Sequence, residues 1–353
     1  MKAMISIVHP AWAYQFRYII NTMTKRGDTV TTLVAEKDGN TKVLKNFHIP
    51  YQLCARSTGT NFVEKGFLFL GLCIRFTWEA IKQKPDIMIG RASPMLAVAA
   101  WLTRKPHFLY EDTEVAKFSL RICKCLSTKI LTPLTFLTDL GPKQERVNTY
   151  KELFYLHPNV FTPDRQALRD VGFQPDEFYV FVRFIAWNAS HDIGRRGLSD
   201  EEKVAMVRCL ETYGRVYVSD EGALPEALER NRLNIPYAMI HHVLAFARLV
   251  YSEGATMASE AVVLGTHALY VNTIVSGSTR EQSERYHLLY NFKHEEDRYR
   301  RALEKAEELL GDPDLEKKGQ EKRAKLLAEK VDINSYYISE MDRLAREGRH
   351  AKK

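Results

Sequence analysis

No stretch of this chain is apolar for long enough to cross a bilayer. The strongest candidate, FLFLGLCIRFTW at Phe67–Trp78, falls short of the ~20 residues a span requires and is interrupted by Arg75. The opening MKAMISIVHPAW has no long apolar run followed by a small-residue cleavage site, so it reads as a first strand rather than a signal peptide. Cysteine is scarce: Cys54, Cys73, Cys123, Cys125 and Cys209 are an odd set, and no second pair accompanies Cys123 and Cys125. That pattern lacks a metal spacing and fits reduced thiols in a cytoplasmic protein. Also missing are an aromatic–basic repeat, a finger spacing and a helix-turn-helix signature. The formal net charge of +7 therefore gives no case for nucleic acid. It suits phosphorylated substrates or an anionic membrane surface equally well.

What is present is a soluble composition, 45% hydrophobic and 27% charged, over 353 residues, enough for two domains. Short β-rich runs alternate with amphipathic stretches. The pattern predicts strands at Ala3–Val8, Thr29–Ala35, Tyr51–Cys54, Ile87–Ile89 and His107–Tyr110. Between them it predicts helices at Tyr14–Lys25, Thr41–Phe47, Phe62–Lys84 and Pro94–Trp101. The alternation restarts with strands at Phe178–Ile185, Arg215–Ser219, Leu249–Tyr251 and Ala268–Val271, and helices at Asp200–Tyr213, Leu224–Arg230 and Met257–Leu264. A charged, mostly helical segment, Arg298–His350, ends the chain. Such βα alternation predicts parallel sheets covered by helices. With a break near Pro158–Pro163, the expected domains are 1–158 and 159–325, followed by a C-terminal helical segment 326–353. Two such halves in series imply a ligand cleft between them. Phe67–Trp78 has two readings, a buried helix or an apolar surface touching a membrane or lipid-linked acceptor, the latter helped by Lys65, Arg75, Lys82 and Lys84.

Candidate chemistry gathers where strands end. In VYSEGATMASEAVVLGTHA, Gly254, Ala255 and Thr256 leave room for a phosphate-sized group beside free helical amides, and Glu260 is placed to accept from a ribose. Close packing alone also explains small residues there. VRFIAWNASHDIGRRGL sets Arg183, Asn188, Ser190, His191, Asp192, Arg195 and Arg196 at the end of an apolar strand. Arginine suits phosphate oxygens, and His191 titrates near neutrality, so it could exchange a proton or simply be structural. YEDTE brings Glu111, Asp112 and Glu114 close enough to repel if buried together, which would raise one pKa toward acid–base use; helix-start stabilisation is the alternative. Glu111 is the first candidate and Glu114 the second, and the spacing implies no bound metal. His9 and Trp12 follow the first strand, where a sugar could stack or hydrogen-bond, or Trp12 could close the core. Arg91 in GRASP is an anion-binding candidate or a surface charge. YKELFYLHP is a hinge or, preferably, a packing segment.

With YEDTE, YKELFYLHP, VRFIAWNASHD and EGATMASEAVVLGT in this order, the chain resembles the DUF354 family of archaeal and bacterial proteins over nearly its full length. That family is similar to the GT-B superfamily of nucleotide-sugar glycosyltransferases and non-hydrolysing UDP-N-acetylglucosamine 2-epimerases. The resemblance implies an α/β, GT-B-like protein: two Rossmann-like domains facing a central cleft, the second holding the nucleotide. It implies that Gly254–Thr256 lie near phosphate, that Glu260 matches the ribose-binding glutamate, and that Glu111 matches an epimerase active-site glutamate. His191 falls where epimerases carry a histidine, with different spacing. Tyr14 and Gln15 replace an expected histidine and aromatic residue, and GDT at Gly27–Thr29 replaces GHE.

The favoured expectation is glycosyl transfer in surface-polysaccharide or envelope-glycan synthesis, with Glu111 or His9 deprotonating the acceptor. The substrate would be a nucleotide sugar, UDP-linked first among them, with no cofactor and no metal. A glycan or lipid-linked acceptor and peripheral attachment at the inner membrane face are the expected partners. The alternatives are C2 epimerisation, using Glu111, Glu114 and His191, and a non-catalytic nucleotide-sugar-binding or assembly role.

Overall fold

Runs such as IMIG, LVYS and ALYV are apolar at nearly every position, the signature of strands covered on both faces, and all twelve of these residues are buried. The computed structural model describes residues 1–37, 39–56, 62–114, 116–186, 197–293 and 297–350. The chain divides into two units, Met1–Val160 with Lys330–Lys353, and Phe161–Glu329.

The first unit runs β1 (Lys2–Ile7), α1 (Pro10–Lys25), β2 (Thr29–Ala35), α2 (Asn40–Asn46), β3 (Gln52–Ala55), α3 (Phe62–Gln83) and β4 (Ile87–Gly90). It continues with α4 (Pro94–Leu102), β5 (His107–Tyr110), α5 (Lys117–Leu126), β6 (Lys129–Pro133), β7 (Gln144–Val147) and α6 (Leu153–Leu156). Its strands are all parallel, ordered β3-β2-β1-β4-β5-β6-β7. The second unit runs α7 (Arg165–Asp170), β8 (Tyr179–Phe184), α8 (Asp200–Glu211), β9 (Arg215–Asp220), α9 (Ile240–Phe246), β10 (Leu249–Ser252) and α10 (Ala255–Leu264). Then come β11 (Ala268–Val271), α11 (Gly277–Glu284), β12 (Leu289–Phe292), α12 (Arg298–Leu310) and α13 (Leu315–Glu329). Its parallel order is β12-β11-β10-β8-β9. Strand order reverses between β1 and β4 in one sheet and between β8 and β10 in the other. Open α/β sheets bind ligands at the carboxyl ends beside such reversals.

Local chemistry explains the helix ends. Ser93 accepts from the Leu96 amide ahead of α4 at 3.4 Å, with Pro94 in the first turn, and Ser199 with Glu202 forms a reciprocal cap on α8. Gly265 ends α10 at φ 88°, a conformation that favours glycine. At that point α13 crosses closely: a Cβ on Gly319 would lie 2.2 Å from the Gly265 carbonyl oxygen, while Gln320 and Arg323 donate to Leu264 and Val263 oxygens at 3.1 and 2.9 Å. The final helix, α14 (Ile333–His350), belongs to the first unit. Tyr337 stacks on Phe108 with ring centroids 4.3 Å apart and donates to the Phe108 carbonyl at 3.1 Å, and Arg26 forks onto Asp342 at 2.6 and 2.7 Å.

The βα alternation is as expected, with differences of detail. α5, β6, β7, α9, α11 and β12 are elements beyond those expected from the alternation. β7, QERV, is an edge strand, where charge is tolerated because one side is unpaired. The helix expected at Leu224–Arg230 is a tighter 3-10 turn, Glu226–Asn231, held off by Pro225. α1 begins at Pro10, four residues before the expected start. The charged C-terminal segment is three helices. The face of α3 toward the sheet is buried through Leu72, Phe76 and Ala80, whereas Phe67, Leu70, Ile74, Trp78 and Ile81 are exposed.

Candidate functional site

In the second unit the carboxyl ends of β8 and β10 bring Arg183 and Gly254 to the same edge. Gly254 precedes α10 in extended conformation, and no side chain caps that helix start. Ser252 holds the turn, accepting from the Gly254 amide at 3.1 Å and donating to the Gly254 carbonyl at 2.8 Å. Among the described residues, an alanine Cβ at Gly254 would meet Ile185 Cγ2 at 3.5 Å and Ser252 Oγ at 3.7 Å, both ordinary contacts. Neither the backbone angle nor packing among the described residues requires glycine there. Ala255 is half-buried and Thr256 exposed at the opening of the helix. Glu253, fully buried, accepts from the Ile185 amide and the Tyr299 hydroxyl, each at 3.1 Å, fixing the loop that leaves β8.

Glu260 lies one and a half turns into α10 and is 7% exposed; its carboxylate faces His241 Nε2 at 3.2 Å. Arg183 donates to Ser219 Oγ and Glu221 Oε1, both at 2.6 Å, across the β8–β9 border. Tyr237 belongs to the same neighbourhood. Its surface is largely open, yet burial at the hydroxyl and the charge of Glu260 raise its pKa, with Arg183 acting in the opposite sense and Glu221 adding to the rise. The structure thus gathers Arg183, Gly254 and Glu260 of the expected residues, and adds Ser219, Glu221, Tyr237 and His241. Asn188, Ser190 and His191, with Asp192, Arg195 and Arg196, lie outside the described residues.

In the first unit β1, β4 and β5 end side by side, carrying His9, Arg91 and Glu111. His9 caps α1: its Nδ1 accepts from the Ala11 amide at 3.2 Å, which leaves the proton of the neutral ring on Nε2. Arg91, expected as an anion binder or a surface charge, is buried and pairs with both Glu111 and Asp112, while donating to Gln15 Oε1 at 3.1 Å. Glu111 Oε1 also accepts from the Asp112 and Thr113 amides at 3.1 and 3.3 Å, and Oε2 from the Ala92 amide at 3.2 Å. Oε1 thus accepts from three protein donors and Oε2 from one.

Acidic repulsion was expected to raise a pKa in YEDTE. At Asp112 the reverse holds. Burial opposes its charge, but Arg91 and Lys151 outweigh burial and hold the carboxyl below its ordinary range. Lys151, 3.3 Å from Asp112, is likewise raised by Asp112 and Glu152 against burial. Glu114 accepts from the Leu137 amide at 2.9 Å, tying the loop after β5 to the loop after β6. Lys151 thereby takes part in this buried network, and Leu153, Phe154 and Tyr155 are core residues, the packing role expected of YKELFYLHP. Among the described residues, no group of three His, Cys, Asp or Glu is placed to hold a metal ion.

No family model and no curated protein sequence matches the chain, so the DUF354 resemblance rests on the motifs alone. Solved structures do match. The UDP-GlcNAc 2-epimerase of Neisseria meningitidis, bound to UDP-GlcNAc, superposes with a TM-score of 0.66 at 13% identity, covering 90% of this chain and 94% of its own. The Methanocaldococcus jannaschii UDP-GlcNAc 2-epimerase gives 0.64 at 12% identity, over 89% and 94%. The glycosyltransferase VinC, in complex with dTDP, gives 0.64 at 12% identity, over 98% and 100%. The likeness is one of fold. Two parallel sheets with flanking helices form Rossmann-like domains of a GT-B-like protein, a fold that these epimerases and transferases share.

Proposed function

We propose that this protein is a nucleotide-sugar-dependent glycosyltransferase whose second unit holds the donor nucleotide. The observation that carries this reading is Gly254, a glycine at the reversal point of a parallel sheet that its backbone angle and its packing among the described residues do not require. Omission of a Cβ there makes sense if a ligand group approaches the uncapped start of α10, where helical amides and the helix dipole favour a diphosphate. Glu260, positioned by His241, accepts from ribose hydroxyls, and Tyr237 offers an exposed ring to the base. Arg183 donates to phosphate oxygens by exchanging its partner Glu221, which is half exposed. In transfer the acceptor hydroxyl forms a bond to the anomeric carbon as the bond to the diphosphate breaks. The diphosphate leaves as the anion stabilised by these donors.

Glu111 favours transfer over epimerisation. A carboxylate that already accepts from Arg91 and three amides is poorly placed to shuttle protons at a sugar ring. Its role in this reading is to position Arg91. His9 takes the acceptor proton, its exposed ring turning Nδ1 away from the Ala11 amide.

The test is calorimetric titration with UDP-, GDP-, CMP- and dTDP-sugars, followed by turnover with and without acceptors. One nucleotide class is expected to bind, with affinity reduced at least about tenfold by Gly254→Ala and by Glu260→Ala, while the Gly254→Ala melting point stays within the small range of surface substitutions. Turnover should require an acceptor. A folded protein that binds none of the panel would sink the reading, and product without acceptor would shift it to epimerisation.

A further inference from the structure

Phe67, Leu70, Ile74, Trp78 and Ile81 recur every three or four residues along α3, which places them on one helix face. They are exposed by 73, 58, 72, 59 and 58%. At the helical rise the stripe extends ~21 Å. Such a contiguous row of large apolar side chains is not the scattered exposure expected of any protein surface.

Beside it stands α5, KFSLRICKCL, which contains no acidic residue. Phe118 is 67% exposed and its ring lies edge-on to Phe69 of α3, centroids 6.1 Å apart, so the two helices meet at that point. Lys117, Arg121 and Lys124 recur at helical spacing along α5, and all three are exposed. None of them takes part in an ion pair or hydrogen bond among the described residues, unlike Arg75, whose partner Glu79 lies 3.0 Å away. Lys82 adds a further exposed cation on α3, and Glu64 is the one exposed acid of that helix. Among the described residues no helix is long and apolar enough to cross a membrane, so this face can at most lie on a bilayer.

We infer that the α3–α5 face of the first unit docks on a lipid bilayer bearing anionic headgroups, with the α3 stripe at the acyl boundary and the α5 cations among the headgroups. An apolar stripe flanked by unneutralised cations is complementary to that surface in both respects. Charge complementarity also decides against a second copy of this chain, since symmetric pairing would bring two sets of α5 cations together without acids to meet them. This inference stands independently of the donor reading, because none of its residues belongs to the candidate site.

The experiment is sedimentation of the full chain with vesicles of phosphatidylcholine alone and of phosphatidylcholine with phosphatidylglycerol. Retention should be at least about tenfold stronger on the anionic vesicles and should weaken in high salt. Ile74→Glu with Trp78→Glu, and separately Lys117→Glu with Arg121→Glu and Lys124→Glu, should each abolish most of it while leaving melting and nucleotide-sugar binding as in the parent. Equal retention on both vesicle types, no retention on either, or retention unaffected by the substitutions would overturn the proposal. So would a dimer seen by light scattering that the α3 substitutions dissolve, in a protein that ignores vesicles; the face would then be a self-association surface.

Discussion

Arg91 carries more than one surface arginine's worth of consequence. It is buried, it meets two carboxylates, and it is the group that lets Glu111 and Asp112 share a small volume at the end of β5. Burial opposes its charge, but Asp112 and Glu111 overcome that and raise its pKa. Removing one partner of such a pair leaves the others charged without compensation, at a cost of about 3–5 kcal/mol. Arg91→Leu is therefore expected to lower the urea midpoint of the first unit severely. Glu111→Gln keeps shape and most acceptor bonds, so it should cost less and leave acceptor-dependent turnover within a fewfold of the parent. Abolition of turnover by Glu111→Gln, with folding intact, would instead make Glu111 a proton carrier. At this scale the sequence exposes which residues end strands, because an apolar run followed by polar residues is visible in one dimension. Their partners are not visible. Arg91 and Glu111 stand 20 positions apart, Arg183 and Glu221 38 positions apart, and only the order of strands in the sheet brings them together. Read without Arg91, YEDTE looks like a cluster of repelling acids. With it, Glu111 and Asp112 share a salt bridge.

Two histidines at strand starts are kept neutral by the fold, one opening β5 and one just before β11. His107 opens β5, fully buried, with Nδ1 2.9 Å from Ser127 Oγ, and burial pushes its pKa down to about 3. His267 precedes β11 and is also lowered to about 3, by burial first and then by Lys322, whose ammonium lies 3.0 Å from Nε2. In the unfolded chain each returns to about 6.5. Below that value the unfolded chain takes up protons that the folded chain refuses. Their contribution to stability is thus complete above about pH 6.5 and declines as pH falls from there toward 3. Each adds a slope of up to about 1.4 kcal/mol per pH unit in that window. Urea unfolding between about pH 7.5 and pH 5 should show the loss, and His107→Gln should remove its share from the first unit's transition alone. An unchanged slope in that variant would mean His107 is not held neutral. Elements differ in legibility for a related reason. β4, β10 and β11 sit inside their sheets, covered on both faces, and are almost wholly apolar, so they are plain in the sequence. β7 and β12 sit at edges, and their composition is free to resemble a loop.

The chain's path divides the labour between its units unequally. Phe161–Glu329 is continuous, whereas the first unit is completed only by Lys330–Lys353. The continuous unit has its own five-stranded sheet and its own core, built from Val180, Val182, Phe184, Val207, Leu210 and Leu269 with Ala302 and Ala306 of α12. It also holds every proposed donor contact among the described residues: Arg183, Tyr237, Gly254 and Glu260. At about 170 residues it exceeds the size at which a single core sustains a fold. Residues 161–329 expressed alone should therefore fold cooperatively and bind the nucleotide portion of the donor within a fewfold of the full chain, without turnover. The converse truncation, ending at residue 329, removes α14 and with it Tyr337, Met341, Leu344 and Ala345, all buried, together with the Arg26–Asp342 fork. Taking such a set of side chains from a core costs several kcal/mol. That protein should lose the first unit's cooperative transition while retaining nucleotide binding in the second. Calorimetric scans of both fragments, with and without UDP, separate the outcomes. Loss of binding in 161–329 despite a cooperative fold would mean that donor recognition needs residues of the first unit, and Gly254 and Glu260 would then be only part of the site.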